Sequence, residues 1–367
     1  MIRLAVPSID EEDLEAVREV LLSGQLVQGK RVAQFERVVA DYVGAKHAVA
    51  VSNCTAALHL ALLSVGVGAG DRVAVTTYSW PATANVIALC GAEPVFVDID
   101  PVTYNMDPSL LDATLRRTSV KAILPVDVFG CMADLPRICS LADRWGVPVI
   151  EDAACALGGD LNGQKAGAWG AAGCFSFHPR KAVTTGEGGM LTTNNDEIAL
   201  SARRLRNHGL DPDATSPDFV VPGYNLRLTE IQAALGITQM AKLERLLSSR
   251  ARHAAYYDEL LANTELVRPR ALPGSRHVYQ SYVVLLPDRA AGRRAEIISS
   301  LRQSGIEVTI GTYHMPMTTF FRRAGSLERG AFPVTDVVAE RALSLPLFDS
   351  MSMEHQRSVV DRLVDAL

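Results

Sequence analysis

The chain has no excess of positive charge: 36 Lys and Arg stand against 41 Asp and Glu, for a formal charge of −5. Partners such as nucleic acid or a membrane surface usually leave a basic stripe, so both are disfavoured, whereas a local basic pocket for a phosphate is not. Long apolar runs are missing as well. No stretch approaches the length of a membrane span, and Met1–Asp10 lacks the charged-then-apolar pattern of an export signal. Cysteine is scarce and scattered. Cys54, Cys90, Cys131, Cys139, Cys155 and Cys174 form no C-x-x-C pair and have no His at metal-ligand spacing. No disulfide framework and no metal are expected; the reading is of a soluble, cytoplasmic protein with reduced, mostly buried thiols.

What is present is a globular composition, 48% hydrophobic over 367 residues, long enough for two or three domains. The first half alternates short apolar runs with helical patterns. His47–Ser52, Arg72–Thr77, Pro94–Ile99, Ala122–Val126, Val147–Glu151 and Cys174–Phe177 read as strands, with helices at Thr55–Val65 and Ala82–Cys90. Continuous apolar strands separated by helices predict a mostly parallel, doubly wound α/β sheet. Asp196 is expected to cap a helix that Gly209 ends, and Asp211–Pro222 reads as an exposed loop. Thr229–Asn263 has few breakers and predicts a long, bent helical connection. Beyond it, strand, helix, strand and helices suggest a smaller α+β domain. We divide the chain into a large domain, residues 1–245, and a small one, residues 246–367.

Three segments carry chemistry. In Gly173–Gly189, GCFSFHPRKAVTTGEGG, a strand ends at His178-Pro179, because Pro cannot donate to a ladder. Lys181 therefore leaves the sheet at a strand's C-terminal edge, where open α/β sheets bind ligands. Gly186, Gly188 and Gly189 allow a close backbone approach. In Val149–Ala154, VIEDAA, two carboxylates end a buried strand, which is costly unless something positive meets them. A pyridinium nitrogen would do so; capping a helix or pairing with an Arg would serve equally well. A small residue such as Ala154 leaves room under a flat ring. The third segment, Ser52-Asn53-Cys54-Thr55-Ala56, joins a strand to a helix, and its free N–H groups suit an anion, although Ser, Asn and Thr are also ordinary helix caps. Trp80, after a strand and before Pro81, could stack on a cofactor or simply fill a core.

Together, FSFHPRKAVTTGEGG, VIEDAA, EPVFVDIDPVTYNMD, LRNHG and GYNLRLTEIQAALG resemble the DegT/DnrJ/StrS family of sugar aminotransferases, which depend on pyridoxal 5′-phosphate (PLP). The resemblance runs from about Gln25 to the C-terminus and implies the aspartate aminotransferase fold, with active sites shared across a homodimer. It implies that Lys181 carries PLP as a Schiff base and shuttles the proton, and that Asp152 pairs with the pyridinium nitrogen. Thr55, Ala56 and Ser176 would hold the phosphate, at the turn that includes Cys54. Trp80 would stack on the ring, and Asn225 would reach the partner subunit's phosphate. Glu187 and Thr312-Tyr313-His314 would lie near the sugar. The chain departs from the family at Cys155, where Gln or His is usual after EDAA, at Leu157, and in the Ser-Asn-Cys-Thr phosphate turn. The resemblance further implies glutamate as amino donor and a nucleotide-linked keto sugar as acceptor. The TTGEGG segment favours C4 of a 4-keto-6-deoxyhexose over a C3 ketone or a keto-cyclitol. A catalytically silent PLP-binding regulatory protein is the reading from another class.

Overall fold

A computed structural model of the chain describes residues 1–325 and 327–367. Its centre is a seven-stranded sheet. The strands are β1 (His47–Val51), β2 (Arg72–Thr76), β4 (Glu93–Val97), β5 (Ala122–Leu124), β6 (Ile150–Asp152), β9 (Ala172–Ser176) and β10 (Gly189–Thr193). The order is β1-β10-β9-β6 on one side and β5-β2-β4 on the other, joined where Ile123 and Val126 bridge to Val149 and Asp152. All run parallel except β10, which lies antiparallel to both its neighbours. The sequence reading left β10 unassigned and expected a glycine-rich turn alone at this point. The turn is there, and it folds the chain back beside β9 instead of sending it through a crossover helix.

The strands are buried on both faces, which is why they read as unbroken apolar runs. One face packs under helix α2 (Lys30–Val43), whose Val32, Phe35, Val39 and Val43 form a single buried stripe; α1 (Glu11–Ser23) precedes it. Helix α3 (Cys54–Ser64) is apolar nearly all round and is buried against the other face with α4 (Ala82–Leu89). The helical connection is two helices, Glu230–Ala241 and Leu243–Leu260, broken at Lys242. Lys242 Nζ there pairs with Asp10 at 2.6 Å and Asp13 at 2.5 Å. Helix Asp196–Arg206 is capped by Asn195 rather than Asp196, since Asn195 Oδ1 accepts from the Glu197 N–H at 2.8 Å.

A second core gathers residues such as Tyr257, Tyr282, Ile297, Leu345 and Leu363. Its antiparallel sheet has the order β12 (Tyr282–Leu285), β15 (Ala342–Leu345) and β13 (Thr309–Ile310). The first residues of the chain pack here too: Ile2 bridges Ile306, and the Leu347 N–H donates to the Leu4 carbonyl at 3.1 Å. Short strands β7 (Asp160–Leu161) and β8 (Gln164–Lys165) form a hairpin that β11 (Ser275–Arg276) extends. One further strand reaches back to the large sheet's edge: β14 (Tyr313–His314) pairs with β3 (Tyr78–Ser79). Among the described residues no helix is long and apolar enough to cross a membrane.

Candidate active site

Because β1, β2, β5, β6 and β9 are parallel, their C-terminal ends share one edge, and the chemistry-bearing segments collect there. Asp152 is the last residue of β6 and is 4% exposed. Its Oδ2 accepts from Thr83 Oγ1 at 2.8 Å, and its Oδ1 accepts from the Ala154 N–H at 3.2 Å. Ser79 Oγ lies 2.9 Å from Thr83 Oγ1. With the Thr83 hydrogen committed to Asp152, the Ser79 hydroxyl is the donor, giving a relay Ser79 to Thr83 to Asp152. Burial raises the Asp152 pKa above the ordinary carboxylate value, against the hydrogen bonds from Thr83 and Ala154 and the charge of Lys181. A buried carboxylate held by neutral donors is well matched to a cation such as a protonated ring nitrogen.

Beyond β9 the chain makes a tight turn in which the Lys181 N–H donates to the His178 carbonyl at 2.8 Å. Lys181 Nζ donates to Cys155 Sγ at 3.1 Å. Burial pulls the Lys181 pKa down, but the neighbouring Cys155, Cys54 and Asp152 outweigh it and hold the ammonium above its usual value. Glu187, on the next turn, is exposed; its carbonyl accepts from Thr185 Oγ1 at 2.7 Å and Gln232 Nε2 at 2.6 Å.

Helix α3 starts at Cys54 with Asn53 as its cap, whose Oδ1 accepts from the Ala56 N–H at 2.9 Å. Cys54 and Ala56 are buried and Thr55 is half-buried; burial pushes the Cys54 thiol well up. Gly189 faces this junction so closely that a Cβ there would lie 2.3 Å from the Asn53 carbonyl carbon. Only glycine lets β10 approach the helix start. Val51, Gly189 and Ser176 form one row across the sheet, which brings Ser176 to the same junction. The N-terminus of α3 thus faces the site with the partial positive charge that suits a phosphate.

The aromatic wall comes from two parts of the chain. Trp80 follows β3 and is 60% exposed; its ring meets that of Tyr313 edge-on, with centroids 5.3 Å apart. Tyr313 and His314 alternate across β14, so only one of them can face Trp80. His314 turns the other way: its Nε2 lies 3.2 Å from Asp336 Oδ1, and its ring packs against Phe332. The structure therefore brings Tyr313 to the site and places His314 behind it. Asn225 is exposed on a segment whose Leu226 carbonyl accepts from the Ser52 N–H at 2.8 Å. It stands at the surface beside its own chain's phosphate turn.

Two contacts were absent from the sequence reading, Thr83 on Asp152 and Cys155 on Lys181. The first had a usable signal. Ser79 and Thr83 are four apart in SWPAT, one ending β3 and the other in the first turn of α4, and the short turn between them brings their hydroxyls together. The second had only the departure from Gln or His at Cys155. The residues present fit PLP: an amine, a buried carboxylate with no ion-pair partner in contact among the described residues, a helix N-terminus approached by a glycine, and an open aromatic wall.

Comparison with known proteins agrees. The model of the DegT/DnrJ/EryC1/StrS aminotransferase family matches residues 7–364. The chain is 39% identical to a "Pleiotropic regulatory protein" of Geobacillus stearothermophilus, over 96% of this chain and 94% of that one. It is 34% identical to a "UDP-4-amino-4-deoxy-L-arabinose--oxoglutarate aminotransferase" of Shewanella sediminis, over 99% and 96%. Its fold is similar to that of the putative sugar aminotransferase Spr1654 from Streptococcus pneumoniae in its pyridoxamine phosphate (PMP) form, with a TM-score of 0.94, 26% identity and coverage of 100% and 99%. The chain belongs to the DegT/DnrJ/EryC1/StrS aminotransferase family and is a PLP-dependent aminotransferase of the aspartate aminotransferase-like fold.

Proposed function

We propose that the protein transfers the amino group of glutamate to a nucleotide-linked keto sugar, at C4 of a 4-keto-6-deoxyhexose. The observation that carries the sugar reading is the open wall of Trp80 and Tyr313 beside Asp152 and Lys181. It leaves one side of the site exposed to a polar acceptor that a closed apolar slot would reject. The C4 position, the nucleotide and the donor are supported by the relative named for UDP-4-amino-4-deoxy-L-arabinose and oxoglutarate, and by the resemblance of TTGEGG.

Lys181, Asp152, Cys54, Thr55, Ala56, Trp80, Ala154 and Ser176 would hold PLP, with Asn225 of a second copy completing the phosphate seat in a homodimer. PLP bound there supplies an electron sink for a carbanion at the donor's Cα. The chain's own residues do the rest. Asp152, oriented by Thr83 and the Ala154 N–H, keeps the ring nitrogen protonated. Lys181 Nζ holds the cofactor at rest and, once displaced, carries a proton between carbons, a role that contributes about 10²–10⁴-fold. The N-terminus of α3 fixes the phosphate and so the ring's orientation. Tyr313 and Glu187 face the sugar, and His314, tied to Asp336, supports Tyr313 from behind. All six cysteines are free, which fits a reducing compartment, and we place the enzyme in the cytoplasm.

The test is turnover by purified protein of glutamate with nucleotide-linked 3-keto and 4-keto sugars and a free keto-cyclitol. Turnover of the 4-keto sugar is expected; turnover of the keto-cyclitol alone contradicts the proposal. The name of the Geobacillus relative favours a second reading, a PLP-binding regulator without turnover. Retention of Lys181 and Asp152 weighs against it, and failure of every amino donor to convert bound PLP to PMP would support it.

A further inference from the structure

Behind the strand end that carries Asp152 lies a pair of carboxyls with no part in the chemistry above. Glu151, beside Asp152 in β6, and Asp127, just past β5, are each 0% exposed. The Asp127 N–H donates to the Asp152 carbonyl at 3.1 Å, tying the two strand ends together. Glu151 points to the opposite face of the sheet from Asp152. There its Oε1 accepts from the Gly167 N–H at 2.8 Å and its Oε2 from the Trp169 N–H at 3.2 Å. Asp127 Oδ1 accepts from the Ala133 N–H at 2.8 Å. Asp127 Oδ2 has no donor among the described residues, and the Glu151 carboxyl lies within hydrogen-bonding reach of the Asp127 carboxyl. Buried carboxylates in contact cannot both be charged, and one proton is the donor that Oδ2 lacks.

We propose that Glu151 and Asp127 hold a proton between them, with the Glu151 hydroxyl donating to Asp127 Oδ2, and that this acid–carboxylate pair is a positioning unit for Asp152. It pins the end of β6 to the loops at 128–133 and 167–169, and it does so only while the proton is present. The loops it pins are themselves closely fitted. Gly167 has φ +80, and a Cβ on Gly173 would come within 2.4 Å of the Gly167 Cα, so the 167–169 segment lies flat on β9. Gly130 packs against the Cys155 carbonyl, where a Cβ would come within 2.9 Å, so the 128–133 loop also touches the turn that holds Lys181's partner.

Burial and the neighbouring carboxylate charges raise both groups, and the hydrogen bonds they accept oppose that. Burial is the main cause that pushes Asp127 up to about 7, and the Asp152 charge adds to it, against the bonds from Glu151 and Ala133. Burial, then the Asp127 charge, raises Glu151 well above the ordinary carboxylate value, against the Gly167 and Trp169 N–H groups. The thiols of Cys131, Cys139 and Cys174 are pushed up by burial first, and then by Asp127, by Glu151, and by Asp152 with Glu151, respectively. Lys181 acts on Asp152, across the sheet. A folded-state pKa above the unfolded one means that the folded chain binds more protons, so the pair's contribution is full at acid pH and is lost as pH rises. As pH rises Asp127 ionises at about 7, and its charge then raises Glu151 further, so the Glu151 proton is the last to leave. Losing that last proton leaves two adjacent buried charges behind Asp152.

The test uses PLP-bound protein. Infrared spectra at neutral pH are expected to show the carbonyl band of a protonated buried carboxyl, absent in Glu151→Gln. Cofactor retained after desalting is expected to fall as pH rises above about 7 for the wild type. Glu151→Gln, whose amide donates permanently to Asp127, should hold PLP to higher pH. Asp127→Asn, which leaves one carboxylate bonded to an amide, is expected to show the same flattened profile and serves if Glu151→Gln does not fold. A wild type lacking the protonated-carboxyl band, or variants that release PLP over the same pH range as the wild type, would overturn the proposal.

Discussion

At the residue scale, the two groups at the centre of the site are defined by what each lacks. Asp152 is buried with no ion-pair partner in contact among the described residues, and Lys181 is an amine whose side-chain partner is a thiol. Replacing Asp152 by Asn keeps the shape and removes the charge. We expect turnover to fall about 10²–10³-fold, the size of losing one preorganised electrostatic partner, while the fold survives; steady-state kinetics with thermal unfolding checks both halves. Thr83→Val strips the donor from Asp152 Oδ2 and leaves a buried acceptor unmet, at about 1–3 kcal/mol. It also removes an influence that holds the Asp152 pKa down, so that pKa should rise further and ring protonation should weaken. Thr83→Ser restores the hydroxyl and should recover most of the loss in a denaturant titration.

At the element scale, the site depends on how closely β10 approaches the start of α3. Gly189→Ala would put a methyl 2.3 Å from the Asn53 backbone, so strand or helix must move. We expect a loss of stability of about 1–3 kcal/mol, the range for overpacking, together with lost PLP retention. Both are measurable on one preparation by thermal melting and cofactor absorbance. This element also marks the limit of what the sequence revealed. The parallel strands were legible because strands buried on both faces must be apolar throughout. Lys181 and Asp152 stand out in the sequence because Pro179 and a buried acidic pair are locally improbable, and the structure places both at one sheet edge. Strand β10 was not legible, because GMLTT is short, carries two threonines in five residues and is preceded by glycines that suit a turn equally well. Nor was the split between Tyr313 and His314. Both sit in one short motif, and which of them faces Trp80 depends on the register of β14 on β3, set by chain more than 200 residues away.

At the scale of the whole molecule, the phosphate seat is expected to be completed by a second copy. Asn225 is exposed, and it stands among exposed apolar side chains at Phe219 (62%), Val220 (44%) and Tyr224 (42%), a surface that suits burial against a partner. Asn225→Ala should weaken PLP binding by about 1.5–3 kcal/mol, the range for a hydrogen bond to a charged group. Mixing Asn225→Ala with Lys181→Ala under conditions of subunit exchange should restore part of the activity, since one site of the mixed dimer has both residues. No gain on mixing would place Asn225 at its own chain's site.

The account rests on Lys181 holding PLP. Borohydride reduction fixes an imine irreversibly, and peptide mass mapping then locates the label. The account predicts a reduced pyridoxyl group on the peptide containing Lys181, absent when glutamate has first converted the cofactor to PMP. A label on another lysine, or none in PLP-loaded protein, would contradict it.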